Sequence, residues 1–395
     1  MIPRLLETAL RESARYYPVI TLTGPRQSGK TTLVRALWPD KRYVSLEDPD
    51  SLMFAQEDPR AFLDQSVLGG LVIDEAQRFP QLFSYLQGYA DTSPPGTFVV
   101  TGSNNFLLME NIGQSLAGRT AVLSLLPFSG EELGANGIGQ NWEENVLKGF
   151  YPRVHDSILP STLFARDYIA TYVERDVRLV KNIGDLNSFR GFLTLCAGRA
   201  GALLNLSALA ADAGVAVNTV RSWISLLEAA YLVFRLPPWH VNVTSRVVKS
   251  PKLYWYDTSL PCYLLGIRNE NDLRSHPLRG ALFENLIIAE RMKAATNRGN
   301  RPELSFWRNA SGSEVDAIEH MEGSPLLWEC KSGSTIGSDF FKHLSALGDR
   351  AHVPPKDRLL AYGGDASSVR SSARVVSWRD VLLGTWQTGG GLESL

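Results

Sequence analysis

The sequence predicts an α/β protein: a parallel sheet with helices on both faces, then a helical stretch, then a second α/β region. Three observations carry this. A glycine-punctuated phosphate-binding loop separates an apolar run from a helical run near residue 24. Further apolar runs follow it at the spacing of βα units. Beyond residue 280, short apolar strands again follow an amphipathic helix.

The elements come in this order. Residues 20–23 read I-T-L-T, a buried strand; residues 24–31 read G-P-R-Q-S-G-K-T; residues 32–37, T-L-V-R-A-L, continue as a helix. The glycines let the backbone turn so that successive N–H groups point at one centre, and the helix N-terminus adds partial positive charge. Gly24, Pro25, Arg26, Gln27, Ser28, Gly29, Lys30, Thr31 and Thr32 are therefore the candidate P-loop residues, with ATP and Mg2+ as the expected cofactors. Lys30 is expected to reach the outer phosphates, and Thr31 to hold Mg2+ through its hydroxyl.

Residues 43–46 (Y-V-S-L) read as a short strand. Residues 71–75 (L-V-I-D-E) form a buried strand ending in two carboxylates, and residues 97–103 (T-F-V-V-T-G-S) another ending in polar groups. Residues 120–125 (T-A-V-L-S-L) supply the last strand. In open parallel sheets ligands bind at the carboxyl ends of the strands. That order places the P-loop, Asp74 with Glu75, and Ser103 with Asn104 at one edge. Asp74 is the expected partner of Mg2+, Glu75 the general base, and Ser103 or Asn104 the group that orients the attacking water or the γ-phosphate. Taken alone, D-E after an apolar strand better suits a helix N-cap with a solvated neighbour; the P-loop in the right chain order favours the functional reading. Arg119, in S-L-A-G-R, is a candidate arginine finger. It acts in cis or, in a homo-oligomer, across a subunit boundary; a surface loop arginine is the plain alternative.

Composition narrows the class. The chain has 395 residues, more than one compact core holds, with 44% hydrophobic and 21% charged residues. No apolar run reaches membrane-spanning length and the start, M-I-P-R-L-L-E-T, lacks a signal-peptide profile, so a cytoplasmic protein with no membrane partner is expected. Cys196, Cys262 and Cys330 lie far apart, which argues against a disulfide framework or a cysteine zinc site. Net charge is −1, but residues 1–150 carry 12 basic and 17 acidic side chains while residues 166–257 carry 11 basic and 7 acidic. The positive middle suits a phosphate backbone and equally suits ordinary surface variation.

Residues 127–185 read as helical, with Pro127 marking the exit from the sheet. Residues 166–177 show helical apolar spacing; a lid in which Arg175 senses nucleotide and a solvated face of a packing helix both fit. Residues 206–213 form a short helix with Ser207 as the expected N-cap, broken by Gly214. A second helix, an apolar stretch and Pro237-Pro238 complete a winged helix-turn-helix pattern with Thr219, Arg221 and Ser222 on the exposed face. Such a module binds DNA or serves as a spacer or oligomer contact.

The last third holds a second constellation. Glu284 lies on the amphipathic helix of residues 280–290, Asp316 on the strand S-E-V-D-A-I, and Glu329 and Lys331 on P-L-L-W-E-C-K-S. Strand period 2 puts Glu329 and Lys331 on one face. Asp316, Glu329 and Glu284 are candidate ligands of a divalent metal, with Lys331 positioning water or stabilising a leaving charge. This is the D…E-x-K pattern of restriction-endonuclease-like folds; an ion-paired strand edge, or such a fold without activity, is the alternative.

Taken together, T-G-P-R-Q-S-G-K-T-T, V-I-D-E-A-Q, T-G-S, L-A-G-R, E-R-D-V, Asp257-Thr258, F-E-N, S-E-V-D and E-C-K run through nearly the whole chain. The chain resembles the prokaryotic AAA-type ATPases that join an N-terminal P-loop domain to a long C-terminal region of unknown function. The resemblance implies an additional-strand ATPase core, a winged-helix segment and a nuclease-like C-terminal fold. That family usually has serine where this chain has Asn104. The expected division is residues 1–130 for the ATPase core, 131–188 for a helical lid, 189–260 for the winged helix and 261–395 for the nuclease-like domain. The expected function is Mg2+-dependent ATP binding and hydrolysis acting on DNA, with a nuclease-like C-terminal domain. A nucleotide switch that assembles protein partners and a toxin or defence effector are the alternatives.

Overall fold

The structure, a computed structural model, describes residues 2–103, 115–156, 159–173, 186–239, 250–321 and 323–387. Asn104 and Arg175 lie outside the described residues. The chain forms two compact units. The first comprises Met1–Pro127, Ala229–Leu232 and Ala295–Arg301, and the second comprises Phe128–Glu228, Val233–Ala294 and Pro302–Leu395.

The first unit is built on five parallel strands: β1 (Val19–Thr23), β2 (Arg42–Ser45), β3 (Leu71–Asp74), β4 (Phe98–Thr101) and β5 (Thr120–Ser124). Their order across the sheet is β2-β3-β4-β1-β5. β4 thus separates the P-loop strand β1 from the carboxylate strand β3, the additional strand that the resemblance implies. β1, β3 and β4 are buried at every position, which is why they read as mainly apolar runs without polar alternation. Alternate residues feed two cores. Ile73 and Val100 pack with Phe62, Phe83 and Leu86 on one face, while Val72 and Val99 pack with Leu6, Leu33 and Val34 on the other.

Two short returning segments complete this unit. Tyr231 reaches the end of β1, where its hydroxyl lies 2.7 Å from Thr23 Oγ1 and 2.9 Å from Ser124 Oγ. Gly299, at φ +81°, lies so close to the helix Leu6–Ser13 that a Cβ there would sit 2.5 Å from Ala9 Cβ.

The second unit holds a mixed sheet of six strands: β8 (Leu304–Arg308), β9 (Glu314–Glu319), β10 (Leu326–Lys331), β11 (Arg358–Tyr362), β12 (Ser368–Val369) and β13 (Arg374–Ser377). Its order is β12-β13-β11-β10-β9-β8, with β10-β11 and β11-β13 parallel and the other pairs antiparallel. The helix Arg279–Thr296 belongs mainly to this unit and buries Leu282, Phe283, Leu286 and Ile287. Ahead of it come the helices Leu186–Ala197, Leu206–Ala213 and Val217–Ala229, then an antiparallel pair β6 (Val233–Leu236) and β7 (Lys252–Trp255). Phe189, Phe192 and Trp223 form the aromatic seam between the first and third of these helices. The cap of the middle helix is Asn205, not Ser207: the Asn205 side chain accepts from Ala208 N at 3.0 Å. Asparagine is at least as good a cap as serine, and position 205 takes extended backbone while residue 206 is already helical.

Candidate functional site

The first site forms where β1 runs into the helix Lys30–Leu37. The turn is possible because Gly24 adopts φ +143° and Gly29 φ +93°. A Cβ at Gly24 would fall 2.2 Å from Leu125 O, so the neighbouring strand leaves room for glycine alone. Gly24→Ala is expected to lower stability by at least about 1–3 kcal/mol from backbone strain, read as a lower melting temperature together with loss of nucleotide binding.

Lys30 is buried, and its Nζ donates to Gly24 O at 2.9 Å and Pro25 O at 2.7 Å. Burial pushes this ammonium down to about 8, the upward pull of Glu75 and Asp74 falling short. Thr31 Oγ1 donates to Asp74 Oδ2 at 2.8 Å, so the hydroxyl and carboxylate expected at one Mg2+ are adjacent. Asp74 also accepts from Tyr43 OH at 2.6 Å, from Thr101 Oγ1 and from Glu75 N at 3.1 Å. Burial and this bond to Asp74 push the Tyr43 phenol well above its ordinary range. The loop residue Arg26 lies 3.8 Å from Glu47, and Ser28 is fully buried, its carbonyl accepting from Arg4 at 2.8 Å.

Glu75 sits at φ +54°, a strained conformation for a side chain with a Cβ. Its Oε2 accepts from Ser103 Oγ at 3.2 Å and from Gln77 Nε2, and Gln77 Nε2 lies 3.4 Å from Ser103 Oγ. The P-loop, Asp74, Glu75 and Ser103 therefore meet at the carboxyl ends of β1, β3 and β4. Sequence reasoning does not single out Tyr43, Thr101 or Gln77 as members of this group. Thr101 and Gln77 lie inside the flagged T-G-S and V-I-D-E-A-Q stretches without a role of their own, whereas Tyr43 opens the Y-V-S-L strand and carries no motif at all.

Arg119 is not in this group. It immediately precedes β5, whose Thr120 pairs with Val19 at the start of β1, and Arg119 O accepts from Val19 N at 3.4 Å. It therefore lies at the amino edge of the sheet, the length of β1 from its own P-loop, about 15 Å at the rise of a strand. There its guanidinium pairs with Asp91, Nε to Oδ1 at 2.5 Å.

The second constellation lies in the second unit. Lys331 Nζ donates to Glu329 Oε1 at 2.5 Å across one face of β10. Asp316 lies one residue beyond the Trp328–Ala317 register pair of β9 and β10, and its Oδ2 accepts from Cys330 N at 2.8 Å. Glu284 accepts from Tyr254 OH at 2.6 Å and from Lys252 Nζ at 2.9 Å. Lys252 and Glu314 were not foreseen. Burial pulls the Lys252 ammonium down, but Glu284, Asp316 and Glu314 outweigh it and hold the group above the usual lysine range. Burial and the charge of Asp316 push both Glu284 and Glu329 up, with Lys252 and Lys331 respectively drawing them back. Among the described residues, no group of three or more His, Cys, Asp or Glu side chains is disposed to hold a metal ion. The three cysteines are buried and form no disulfide, and no described helix is long and apolar enough to cross a membrane. Arg221 is exposed, with Thr219 and Ser222 half-buried beside it.

Residues 16–134 match the AAA domain family, residues 139–271 a domain of unknown function (DUF8612) and residues 279–381 another (DUF4143). Uncharacterized proteins of Mycobacterium tuberculosis and Mycobacterium bovis are each 33% identical over 332 residues, covering 82% of this chain and 73% of theirs. Among solved structures, a Walker-type ATPase of Pyrococcus abyssi is 16% identical with a TM-score of 0.39, covering 66% of this chain and 94% of that one. AMPPCP-bound DnaA from Aquifex aeolicus is 14% identical with a TM-score of 0.28, covering 57% and 86%. With the AAA domain matched on the P-loop unit and 33% identity to these mycobacterial relatives over 332 residues, the chain belongs to the family of AAA-type P-loop ATPases that carry a C-terminal domain of unknown function.

Proposed function

We propose that this chain is a cytoplasmic, Mg2+-dependent ATPase that acts on DNA. The observation that carries the catalytic part is the meeting of Lys30, the Thr31–Asp74 pair and the Glu75–Ser103 pair at one sheet edge. The residues fit Mg-ATP. A buried ammonium bonded only to neutral loop carbonyls gains charged acceptors when phosphates enter, and a hydroxyl beside a carboxylate is the hard oxygen set that Mg2+ takes alongside substrate phosphates. Mg2+, when bound, neutralises charge on the β- and γ-phosphates. Lys30 holds the outer phosphates, Glu75 takes the proton of the attacking water, and Ser103 and Gln77 keep the Glu75 carboxylate aimed.

The place of Arg119 on the far edge favours a finger supplied to a neighbouring subunit, hence a homo-oligomer. Mixing Arg119→Ala, which keeps its own P-loop, with a Lys30→Ala chain, which keeps its finger, is expected to restore turnover that neither shows alone. Linear dependence of wild-type turnover on protein concentration down to nanomolar levels would argue against sharing.

The DNA part is supported by the three helices and antiparallel pair of residues 186–255, an arrangement that fits a winged helix, with exposed Arg221 on the third helix. The second sheet, with Asp316 on β9 and Glu329 and Lys331 on β10, fits a nuclease-like fold that grips or cuts DNA. The test is ATP turnover with and without single-stranded, duplex and branched DNA at several salt concentrations. Stimulation that weakens steeply with salt is expected. Indifference to every form of DNA would instead favour the protein-assembling switch.

A further inference from the structure

The nuclease-like reading implies a divalent metal held by Glu284, Asp316 and Glu329. The residues present do not fit one, because a cation of the chain's own already stands there. Lys252 enters from β7 with its side chain 2% exposed. Its Nζ lies 2.9 Å from Glu284 Oε1 and 3.8 Å from Asp316 Oδ1, and it forms a close ion pair with Glu314. The faces of Tyr254 and Phe306 enclose it at 5.9 and 5.6 Å. A divalent ion needs these oxygens at about 2.0–2.6 Å, a position that overlaps an ammonium held this close to the same oxygens. It would also bring two cations together in a site with little water to screen them.

One oxygen of each carboxylate is already in use. Asp316 Oδ2 is spent on the backbone of Cys330, and Glu284 Oε1 on Tyr254 as well as Lys252. Glu329 is buried, with Oε1 bound to Lys331 and Oε2 without a hydrogen-bond partner.

We propose that Lys252 is a built-in replacement for the divalent metal, so that the second sheet is a nuclease-like fold closed by its own ammonium and does not cut DNA. The proposal rests on the nuclease-like reading above. It says that the carboxylates are clamped rather than poised: Lys252 joins β7 to β9 and to the helix Arg279–Thr296 by charge, where a nuclease would hold a mobile ion.

The test is Mn2+ binding to the nucleotide-free full-length chain, followed by electron paramagnetic resonance, in wild type, Asp316→Asn, Lys252→Met and the double variant Lys252→Met/Asp316→Asn. Wild type and Asp316→Asn are expected to bind the same number of ions. Lys252→Met is expected to gain one further Mn2+ per chain, lost again in the double variant. Mn2+ binding by wild type that disappears in Asp316→Asn overturns the proposal and leaves the nuclease-like reading standing. A folded Lys252→Met chain that gains no ion overturns both. Should Lys252→Met fail to fold, the wild-type and Asp316→Asn pair decides alone: equal binding supports the proposal and unequal binding ends it.

Discussion

Lys30→Ala is expected to weaken ATP binding by about two to three orders of magnitude, or roughly 3–4 kcal/mol. The size follows from burial: the ammonium would meet the phosphates in a site that water scarcely screens, so its loss would leave phosphate oxygens without their nearest charged donor. Stability should not fall with it. The buried charge is itself unfavourable, as the lowering of its proton affinity to about 8 shows, so the alanine chain should melt no lower than wild type. The same value fixes a pH dependence. Below about 8 the free protein already carries the charge; above it, binding must recruit a proton, and wild-type affinity should drop by up to tenfold per pH unit while Lys30→Ala stays flat. Calorimetric titration with ATP and magnesium from pH 7 to 10 measures both. Equal affinity in the two proteins would remove the nucleotide from this loop.

Glu75→Gln is expected to lower turnover by about 10²–10⁴-fold while ATP affinity changes by no more than a few-fold. Glutamine keeps an oxygen that Ser103 and Gln77 can reach, so the geometry survives and only the capacity to accept a proton goes. Phosphate release measured beside binding separates the two effects. Full turnover in this variant would assign the base elsewhere. Because Glu75 occupies a left-handed conformation that costs side chains strain, glycine at 75 should raise the melting temperature and still abolish turnover, a pairing of gains and losses that a merely structural glutamate would not give.

Much of the first site was legible because buried parallel strands announce themselves. β1, β3 and β4 are buried at every position, and each run ends in a polar residue, Thr23, Asp74 and Thr101 respectively. Chain order then placed the P-loop, Asp74, Glu75 and Ser103 together. What the pattern does not carry is the end of the sheet on which a loop residue emerges. Arg119 adjoins a strand just as Asp74 does, but it precedes its strand and Asp74 ends its own, and that difference moves it to the other edge. The Asn205 cap was missed for a smaller reason: two capping residues stand two apart, and only the backbone decides between them. Lys252 was invisible for a larger one. Its partners Glu284, Glu314 and Asp316 lie 32 to 64 residues away, and a lysine opening an apolar strand looks like a solvated end until the fold encloses it.

The returning segments bear on how the protein comes into being. Tyr231 and Gly299 fit against β1 and the first helix of a unit whose sheet is otherwise finished by residue 127. A ribosome making this chain must therefore synthesise most of the second unit before the nucleotide fold can be completed. The early sheet waits meanwhile with part of its surface uncovered, a natural client for a chaperone. Proteolysis of stalled nascent chains should accordingly show protection of residues 1–127 rising late, once residue 301 has left the exit tunnel.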